Sequence, residues 1–304
     1  LLSHLAHQLN NCRLSLVLGA GISKALELPS WDELLEEMGY HITEEFGITI
    51  SPDIKSNEEK ADFFRKIYDD QSRYQDYLQL VQHSLYNKSK GVDFEKLNER
   101  KVLDAIAALC IPSRRGFVKD IITFNFDNIL EIYLRYYGII SHSPLTGNQW
   151  RKNADVNIYH IHGFLPKDMP LSHCSKRIIF DSESYQCQTS FSTWEWAPHI
   201  SSVLRTTTAV FIGLSGHDRN LERFMKDSNA KHAYRDYSYD SFWGVSFIRK
   251  KDNMAGTIKL WKKWGIYPII ISGNDDKKGC THDEFEDGIK SFLFSISQKA
   301  AELL

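Results

Sequence analysis

Residues 14–23 read LSLVLGAGIS, in which a short apolar run leads directly into a loop of small residues. The apolar run has the length and composition of a buried β-strand. Glycines after such a strand let the backbone come close to a pyrophosphate, and the N–H groups that follow can bind the anion. The candidate ligand-binding residues of this loop are Gly19, Ala20, Gly21 and Ser23. The motif also fits a plain tight turn, and Lys24 at the third glycine position departs from the GxGxxG fingerprint of dehydrogenases.

Downstream of residue 110, short apolar runs alternate with segments of helical periodicity. Strands are predicted at residues 120–123, 156–159, 177–180, 209–212, 242–247 and 266–271. Helices are predicted at residues 128–137, 191–205, 219–227, 257–264 and 284–300. This alternation predicts an α/β fold, with a Rossmann-like parallel sheet and helices on both faces. Ligands of such folds bind beyond the carboxyl ends of the strands, so functional residues are expected just after each strand.

Residues 31–110 have a different character from the rest of the chain. Apolar residues recur at helical spacing in 31–46, 57–86 and 102–109, and no strand signal interrupts them. We therefore predict an all-helical insertion subdomain at 31–110. The Rossmann-like domain is then formed by residues 1–30 and 111–304.

The composition excludes several classes of protein. The chain has 304 residues, with 37 Lys and Arg against 39 Asp and Glu and a formal net charge of −2, so we expect no direct nucleic-acid binding. Apolar runs such as 208–214 are too short to span a bilayer, and no charged-then-apolar leader opens the chain, so we expect neither membrane insertion nor secretion. The five cysteines form no CxxC pair, which fits a reducing cytoplasm better than a disulfide framework.

An asparagine and an aspartate follow the second predicted strand, in the segment Thr123-Phe124-Asn125-Phe126-Asp127. The Asn125 amide both donates and accepts hydrogen bonds, which suits a residue that holds a sugar hydroxyl and an attacking water together. Asp127 stands just before a predicted helix, so a role as N-cap competes with a role in a ligand site. Asn125 is therefore the stronger candidate for chemistry.

Two histidines, His160 and His162, follow the strand predicted at 156–159. Alternate positions of a strand point to the same face, which fits a metal pair, but no third ligand has convincing spacing and we expect no metal. His162, followed by Gly163, is the candidate general base, because an imidazole titrates near neutral pH. His160 is interpreted as structural.

A second loop of small residues, GLSGHD at positions 213–218, follows the strand predicted at 209–212. Its N–H donors suit a diphosphate or a ribose. Its candidate residues are Gly213, Ser215 and Asp218, of which Asp218 equally fits a helix cap. Two such loops, with an asparagine and a histidine at the intervening strand ends, predict a nucleotide-binding site.

These motifs, in this order, resemble those of the sirtuins, and more closely the sirtuin-like NAD-degrading effector domains of bacterial antiphage defence systems. Residues 19–23 resemble the sirtuin GAGxS loop, and residues 123–127 resemble the Thr-Gln-Asn-Ile-Asp motif. His162 with Gly163 resembles the catalytic His-Gly pair. Residues 213–215 resemble the Gly-Thr-Ser loop, and the full GLSGHD run is closer to the defence branch.

The chain also departs from the protein-deacylating sirtuins. Their four-cysteine zinc module has no counterpart, because the interval between the His-Gly and Gly-Thr-Ser motifs holds only Cys174 and Cys187. Pro29 keeps the position of a sirtuin proline, but Asp32 replaces the arginine that follows it in sirtuins, and Phe124 replaces a glutamine. Since the zinc module helps to form the acyl-lysine cleft, its absence argues against deacylation.

The resemblance implies that NAD is the substrate and that its nicotinamide–ribose bond is hydrolysed to give ADP-ribose and nicotinamide. In this hypothesis Asn125 holds the water and the ribose hydroxyls, and His162 acts as general base or contacts a ribose hydroxyl. Trp31 walls the nicotinamide pocket, although it equally fits a core aromatic. Thr123 and Asp127 complete the NAD-binding residues of the second strand.

An effector that destroys NAD has to stay inactive in healthy cells. The resemblance therefore implies a cytoplasmic antiviral effector of abortive infection, controlled by homo-oligomerisation or by a sensor or trigger that is fused or separate. Two alternatives stay open: an NAD-dependent protein deacylase that uses the same pocket, and a non-catalytic module that senses NAD or ADP-ribose.

Overall fold

Seven strands form one sheet in which every neighbouring pair is parallel. The computed structural model describes residues 1–23, 28–69, 73–87, 100–146, 153–187, 195–214, 221–222, 225, 242–251, 254–273 and 279–303. The strands are β1 (Leu14–Leu18), β2 (Asp120–Thr123), β3 (Ser141–His142), β4 (Val156–His160), β5 (Thr208–Ile212), β6 (Gly244–Arg249) and β7 (Ile266–Ile271). Their spatial order is β3-β4-β2-β1-β5-β6-β7.

Helices cover both faces of this sheet. They are α1 (Leu2–Asn10), α2 (Trp31–Phe46), α3 (Asn57–Asp69), α4 (Tyr74–Tyr86), α5 (Lys101–Cys110), α6 (Ile129–Tyr136), α7 (Ser182–Cys187), α8 (Ala197–Thr206), α9 (Ala255–Lys263) and α10 (His282–Glu302). Every residue of β1 is buried, as expected for the central strand of a parallel sheet. Leu16 packs into the core that includes α1, α5 and α10, whereas the next residue, Val17, packs into the core that includes α8 and α9. The predicted α/β fold, with helices on both faces of a parallel sheet, is therefore confirmed.

The order of the strands places a topological switch point beside β1. The chain proceeds from β1 to β2 and β4 on one side of it, and then returns to β5 on the other side. In open parallel sheets the ligand crevice lies at the carboxyl ends of the strands around such a point. The two glycine-containing loops follow β1 and β5, so they meet at this position.

One predicted strand is wrong. Residues 177–180 belong to no strand, and their hydrogen bond toward β4 lies beyond its end, where Ile179 N–H donates to the carbonyl oxygen of His162 (2.7 Å). A short apolar run only indicates burial, and here Ile178 and Phe180 are buried in the core that includes residues of α2, α3 and α4. The two-residue strand β3 and the helix α1 were not predicted, and residues 57–86 contain two helices, α3 and α4. The helix predicted at 219–227 and the start of the one predicted at 191–205 lie largely outside the described residues.

In the described part of residues 31–110, three helices pack against one another and a fourth packs elsewhere. Helices α2, α3 and α4 form one group, whereas α5 packs on α10 and α6 beside the sheet. Helix α2 begins with a capping box between Ser30 and Glu33. It is followed by its C-cap residue Gly47, which has the left-handed conformation (φ 67°). The boundary of a helical insertion at 31–110 stays a prediction, and we use the name helical block for α2, α3 and α4 alone.

Candidate functional site

Asn125 and His162 follow the neighbouring strands β2 and β4. Thr123 and His160 are the last residues of these strands and pair with each other, and each candidate residue lies two positions beyond its strand end. The pairing continues past the strand ends, because Ile161 N–H donates to the carbonyl oxygen of Thr123 (3.0 Å). The ring of His162 lies edge-on to that of Phe124, with centroids 5.0 Å apart. The structure thus brings the two residues to the same edge of the sheet.

The Asn125 side chain ties the end of β2 to the first glycine loop. Its Nδ2 donates to the Ser23 hydroxyl (2.9 Å) and to the carbonyl oxygen of Gly19 (3.3 Å), and the residue is only 8% exposed. Its backbone N–H donates to Thr123 Oγ1 (3.1 Å), which gives Thr123 a supporting role. Since Oδ1 makes no hydrogen bond within the described residues, the amide oxygen is the end of Asn125 that a ligand or a water can use.

Asp127 lies one residue before the N-cap of α6, which is Asn128, so the expected N-cap role falls one position later. Its Oδ1 accepts a hydrogen bond from the N–H of Ile129, the first residue of α6, whereas its role in a ligand site stays a prediction. Burial raises the pKa of Asp127 above its ordinary value, although the bonds from Ile129 N–H and from the Ser23 hydroxyl act in the opposite direction. Asp127, Ser23 and Asn125 are thus linked in one buried polar group at the switch point.

The two glycine loops contact each other directly. Gly19 N–H donates to the carbonyl oxygen of Ile212 (3.0 Å), and Gly21 N–H donates to that of Gly213 (3.1 Å). A Cβ atom on Gly21 would lie 2.7 Å from the Cα of Gly213, and Gly213 itself has φ +72°, so both positions favour glycine. The glycines are therefore explained by packing between the loops.

The N–H groups of the first loop are used largely within the protein. After the bonds made by Gly19 and Gly21, the N–H groups of Ile22 and Ser23 close a turn on the carbonyl oxygens of Gly19 (3.2 Å) and Ala20 (3.1 Å). Binding of a diphosphate to this loop stays a prediction. Ser215 and Asp218 of the second loop lie outside the described residues.

His162 is buried among aromatic rings. It is 5% exposed, and besides Phe124 its neighbours are Tyr185, with ring centroids 5.8 Å apart, and Phe126, at 6.4 Å. The following Gly163 has φ +110°, and a Cβ there would lie 2.8 Å from Ile178 Cγ2. The His-Gly pair thus lets residues 177–179 run close beside the end of β4.

Trp31 lies at the outer end of the same aromatic cluster. Its ring centroid is 6.2 Å from that of Phe180, which in turn is 5.9 Å from Phe126. Trp31 is 37% exposed at the first position of α2. It is therefore a rim residue of the cluster around His162 and not a core aromatic, whereas its contact with nicotinamide stays a prediction.

Sequence analysis missed the contacts of His160. Its Nδ1 lies 2.7 Å from the carbonyl oxygen of Asn125, and its Nε2 lies 2.7 Å from Glu131 Oε1. The acceptor on Glu131 belongs to α6, 29 positions away along the chain. The contact could have been predicted from Glu131, an acidic residue in the helix that follows the Asn125 motif.

A cavity of about 70 Å³ borders the glycine loops. It is lined by Gly21 and Gly213, by Val102 of α5 and by Phe285 of α10, and its lining does not include Asn125 or His162. The cavity therefore adjoins the first loop away from the two candidate catalytic residues.

The chain was also compared with known proteins. Residues 119–269 match the family model described as SIR2-like domain. This part of the chain is a SIR2-like domain. The matched residues extend from just before β2 into β7, and they include Asn125, His162 and Gly213. No curated protein shows significant similarity to the chain.

The SIR2-like domain confirms the resemblance to the sirtuin superfamily and indicates a function that uses NAD. The matched residues hold three of the four strand-end motifs in full, those of Asn125, His162 and Gly213. In the part of the chain that the structure describes, no group of three or more His, Cys, Asp and Glu side chains could hold a metal ion. Among the described helices, none is both long and apolar enough to cross a membrane.

Proposed function

We propose that the protein is an NAD hydrolase that converts NAD and water into ADP-ribose, nicotinamide and a proton. The observation that carries this proposal is the placement of Asn125 and His162 just beyond the ends of the neighbouring strands β2 and β4, within the residues that match a SIR2-like domain. The amide oxygen of Asn125 is available there, while its nitrogen is held by Ser23 and Gly19.

The protein does not have to assist the departure of the leaving group. Nicotinamide is cationic while bound to ribose and departs as a neutral ring, so no acid is needed to protonate it. The transition state has oxocarbenium character at the ribose carbon, and the protein has to orient the ribose and one water and to accept a proton. In the proposal Asn125 orients the water and the ribose hydroxyls, and His162 accepts the proton or contacts a ribose hydroxyl.

The surroundings of these two residues fit the parts of NAD. The rings of Phe124, Phe126 and Tyr185 make an apolar enclosure around His162, and Trp31 adds an aromatic rim. Planar aromatic surfaces suit a nicotinamide ring, and exclusion of bulk water strengthens the polar contacts made inside. The diphosphate is assigned to the two glycine loops, which adjoin Asn125 through Gly19.

The biological role proposed is depletion of NAD in an antiviral, abortive-infection response in the cytoplasm. It is supported by the resemblance of the motifs to defence effectors. Under this role the activity is controlled by homo-oligomerisation or by a sensor or trigger, fused or separate.

The test is to incubate the purified protein with NAD and to measure nicotinamide and ADP-ribose by chromatography. We expect equal release of both products and at least a 10²-fold loss in Asn125→Ala, as when a transition-state contact is removed. Asn157→Ala is the matched control, because it removes an amide that bonds Asp120 (3.4 Å) toward the other end of β4. It should keep the activity.

Three results would redirect the proposal. Full activity in a folded Asn125→Ala protein would contradict the role of this residue. O-acetyl-ADP-ribose formed with an acetyl-lysine peptide would indicate deacylation. Binding of NAD without turnover would indicate a sensor or an effector that awaits its trigger.

A further inference from the structure

The imidazole of His160 has a hydrogen-bond acceptor at each nitrogen. On one side lies the carbonyl oxygen of Asn125 and on the other a carboxylate oxygen of Glu131, each at 2.7 Å. The side chains of His160 and Glu131 are 2% and 8% exposed. The chemistry proposed above leaves this buried pair without a role.

The acceptors determine the protonation of the ring. A carbonyl oxygen can only accept, and the Glu131 carboxylate also accepts from the Ser143 hydroxyl, so His160 donates from both nitrogens as an imidazolium. Burial lowers the pKa of His160, but Glu131, the hydrogen bonds and the nearby Asp127 outweigh it and raise the pKa overall. The ring of Phe164, with its centroid 4.3 Å away, completes the enclosure.

The bond from Nδ1 fixes the peptide group that joins Asn125 to Phe126. The N–H of Asn125 is held by Thr123 Oγ1 and its side-chain nitrogen by the Ser23 hydroxyl, so the carbonyl is the third point of attachment. If this carbonyl were released, the peptide plane could rotate. Rotation would turn the amide oxygen of Asn125 and move the Phe126 ring, which lies 6.4 Å from His162.

We propose that His160 is a positioning residue, which sets the orientation of Asn125 through the hydrogen bond to its backbone carbonyl, with Glu131 holding the imidazolium in place. The effect on catalysis rests on the NAD hydrolysis proposed above. The hydrogen bond itself does not, and it can be tested separately.

Two substitutions separate the two hydrogen bonds of the ring. The amide nitrogen of an asparagine lies where Nδ1 of a histidine lies, and that of a glutamine reaches the place of Nε2. His160→Asn therefore keeps the donor to the Asn125 carbonyl, and His160→Gln keeps the donor to Glu131. Both are made together with Glu131→Gln, so that neither protein retains a buried carboxylate without its cation.

The two double variants and the Glu131→Gln parent are compared for kcat, for KM with NAD, and for melting temperature. We expect H160N/E131Q to keep the kcat of the parent within a few-fold. H160Q/E131Q should lose about 10²-fold in kcat with little change in KM, because a displacement of about 1 Å in a catalytic group has that effect. Equal kcat values in the two, or a greater loss in H160N/E131Q, would overturn the proposal. Comparable melting temperatures would separate positioning from a general role in stability.

A measurement without turnover tests the hydrogen bond directly. In protein labelled with ¹⁵N-histidine, the His160 ring signals are identified among those of the 12 histidines by their loss in H160N/E131Q. We expect both ring nitrogens to carry protons at neutral pH. An unprotonated Nδ1 would overturn the proposal, even if the protein released no nicotinamide. Protonated nitrogens in a protein without nicotinamide release would instead contradict the proposed function alone.

Discussion

The close packing of the two glycine loops depends on the absence of a side chain at Gly21. A methyl group there would lie 2.7 Å from the Cα of Gly213 and 3.1 Å from its carbonyl oxygen, and neither backbone atom can turn away. We predict that Gly21→Ala lowers the free energy of unfolding by about 1–3 kcal/mol, the usual effect of overpacking. Urea denaturation measures it. The same change should lower nicotinamide release, because the loop also carries Ser23, a partner of Asn125.

The matched control is Gly256→Ala in α9. This glycine is exposed, and a Cβ atom there would meet nothing within 4 Å. Alanine has the higher helix propensity, so we expect no loss of stability and a gain of up to about 1 kcal/mol. Equal effects at Gly21 and Gly256 would show that the two loops are not in tight contact.

The sequence predicted that Asn125 and His162 lie at the same edge of the sheet, because the carboxyl ends of parallel strands always share one edge. It did not predict the contacts of His160. An imidazole at a strand end does not reveal its partners, and Glu131 reaches it from another element. The glycines were interpreted as positions where the backbone approaches a pyrophosphate, and the sequence did not show that they also let the two loops pack against each other.

At the scale of elements, α4 holds the segment that follows His162. The Tyr86 hydroxyl donates to the carbonyl oxygen of Leu165 (2.8 Å), and Gln82 Nε2 donates to that of Pro166 (2.6 Å). We predict that Tyr86→Phe lowers the free energy of unfolding by about 1–3 kcal/mol, because it leaves a buried carbonyl without this donor. Urea denaturation gives the value, and hydrogen exchange should increase in residues 162–180.

Tyr40→Phe provides the comparison for that substitution. Tyr40 belongs to α2 and is 60% exposed, so loss of its hydroxyl should change the free energy of unfolding by less than about 0.5 kcal/mol. A result for Tyr86→Phe within that range would mean that α4 does not stabilise the segment through this bond.

The elements were predictable wherever the periodicity extended over several turns or a full strand. Helix α2 and strands β2 and β7 have the predicted bounds. The strand predicted at residues 177–180 is wrong because an apolar run of four residues can be buried equally well in a strand or in a loop segment. Strand β3 has two residues, which is too short for a pattern of alternating apolar and polar residues to be recognised.

At the scale of the whole molecule, the buried pair makes stability depend on pH. The pKa of His160 in the folded protein lies above the ordinary value of 6.5, so its protonation stabilises the fold. This contribution is fully present below about pH 6.5 and is lost as the pH rises through the folded value. We predict that the difference in free energy of unfolding between wild type and H160N/E131Q shrinks as the pH rises from about 6 to about 9. Urea denaturation across this range measures it.

Asp127, whose pKa is also raised, is present in both of these proteins, so its own titration largely cancels in the difference. A difference that stays constant, or that grows with pH, would show that His160 is not held as a cation.

The candidate site is assembled from parts of the chain that are far apart in sequence. Asn125 bonds to Ser23 across 102 positions, and the first glycine loop is closed by Gly213, near the end of β5. Closing such long loops is slow and occurs only when both partners have been synthesised. At about 5–20 residues per second, a growing chain carries both Asn125 and His162 for roughly 3–10 s before the second glycine loop is made. The two glycine loops can meet only after residue 213 has been synthesised, so under the proposed function a shorter nascent chain lacks the diphosphate part of the NAD site.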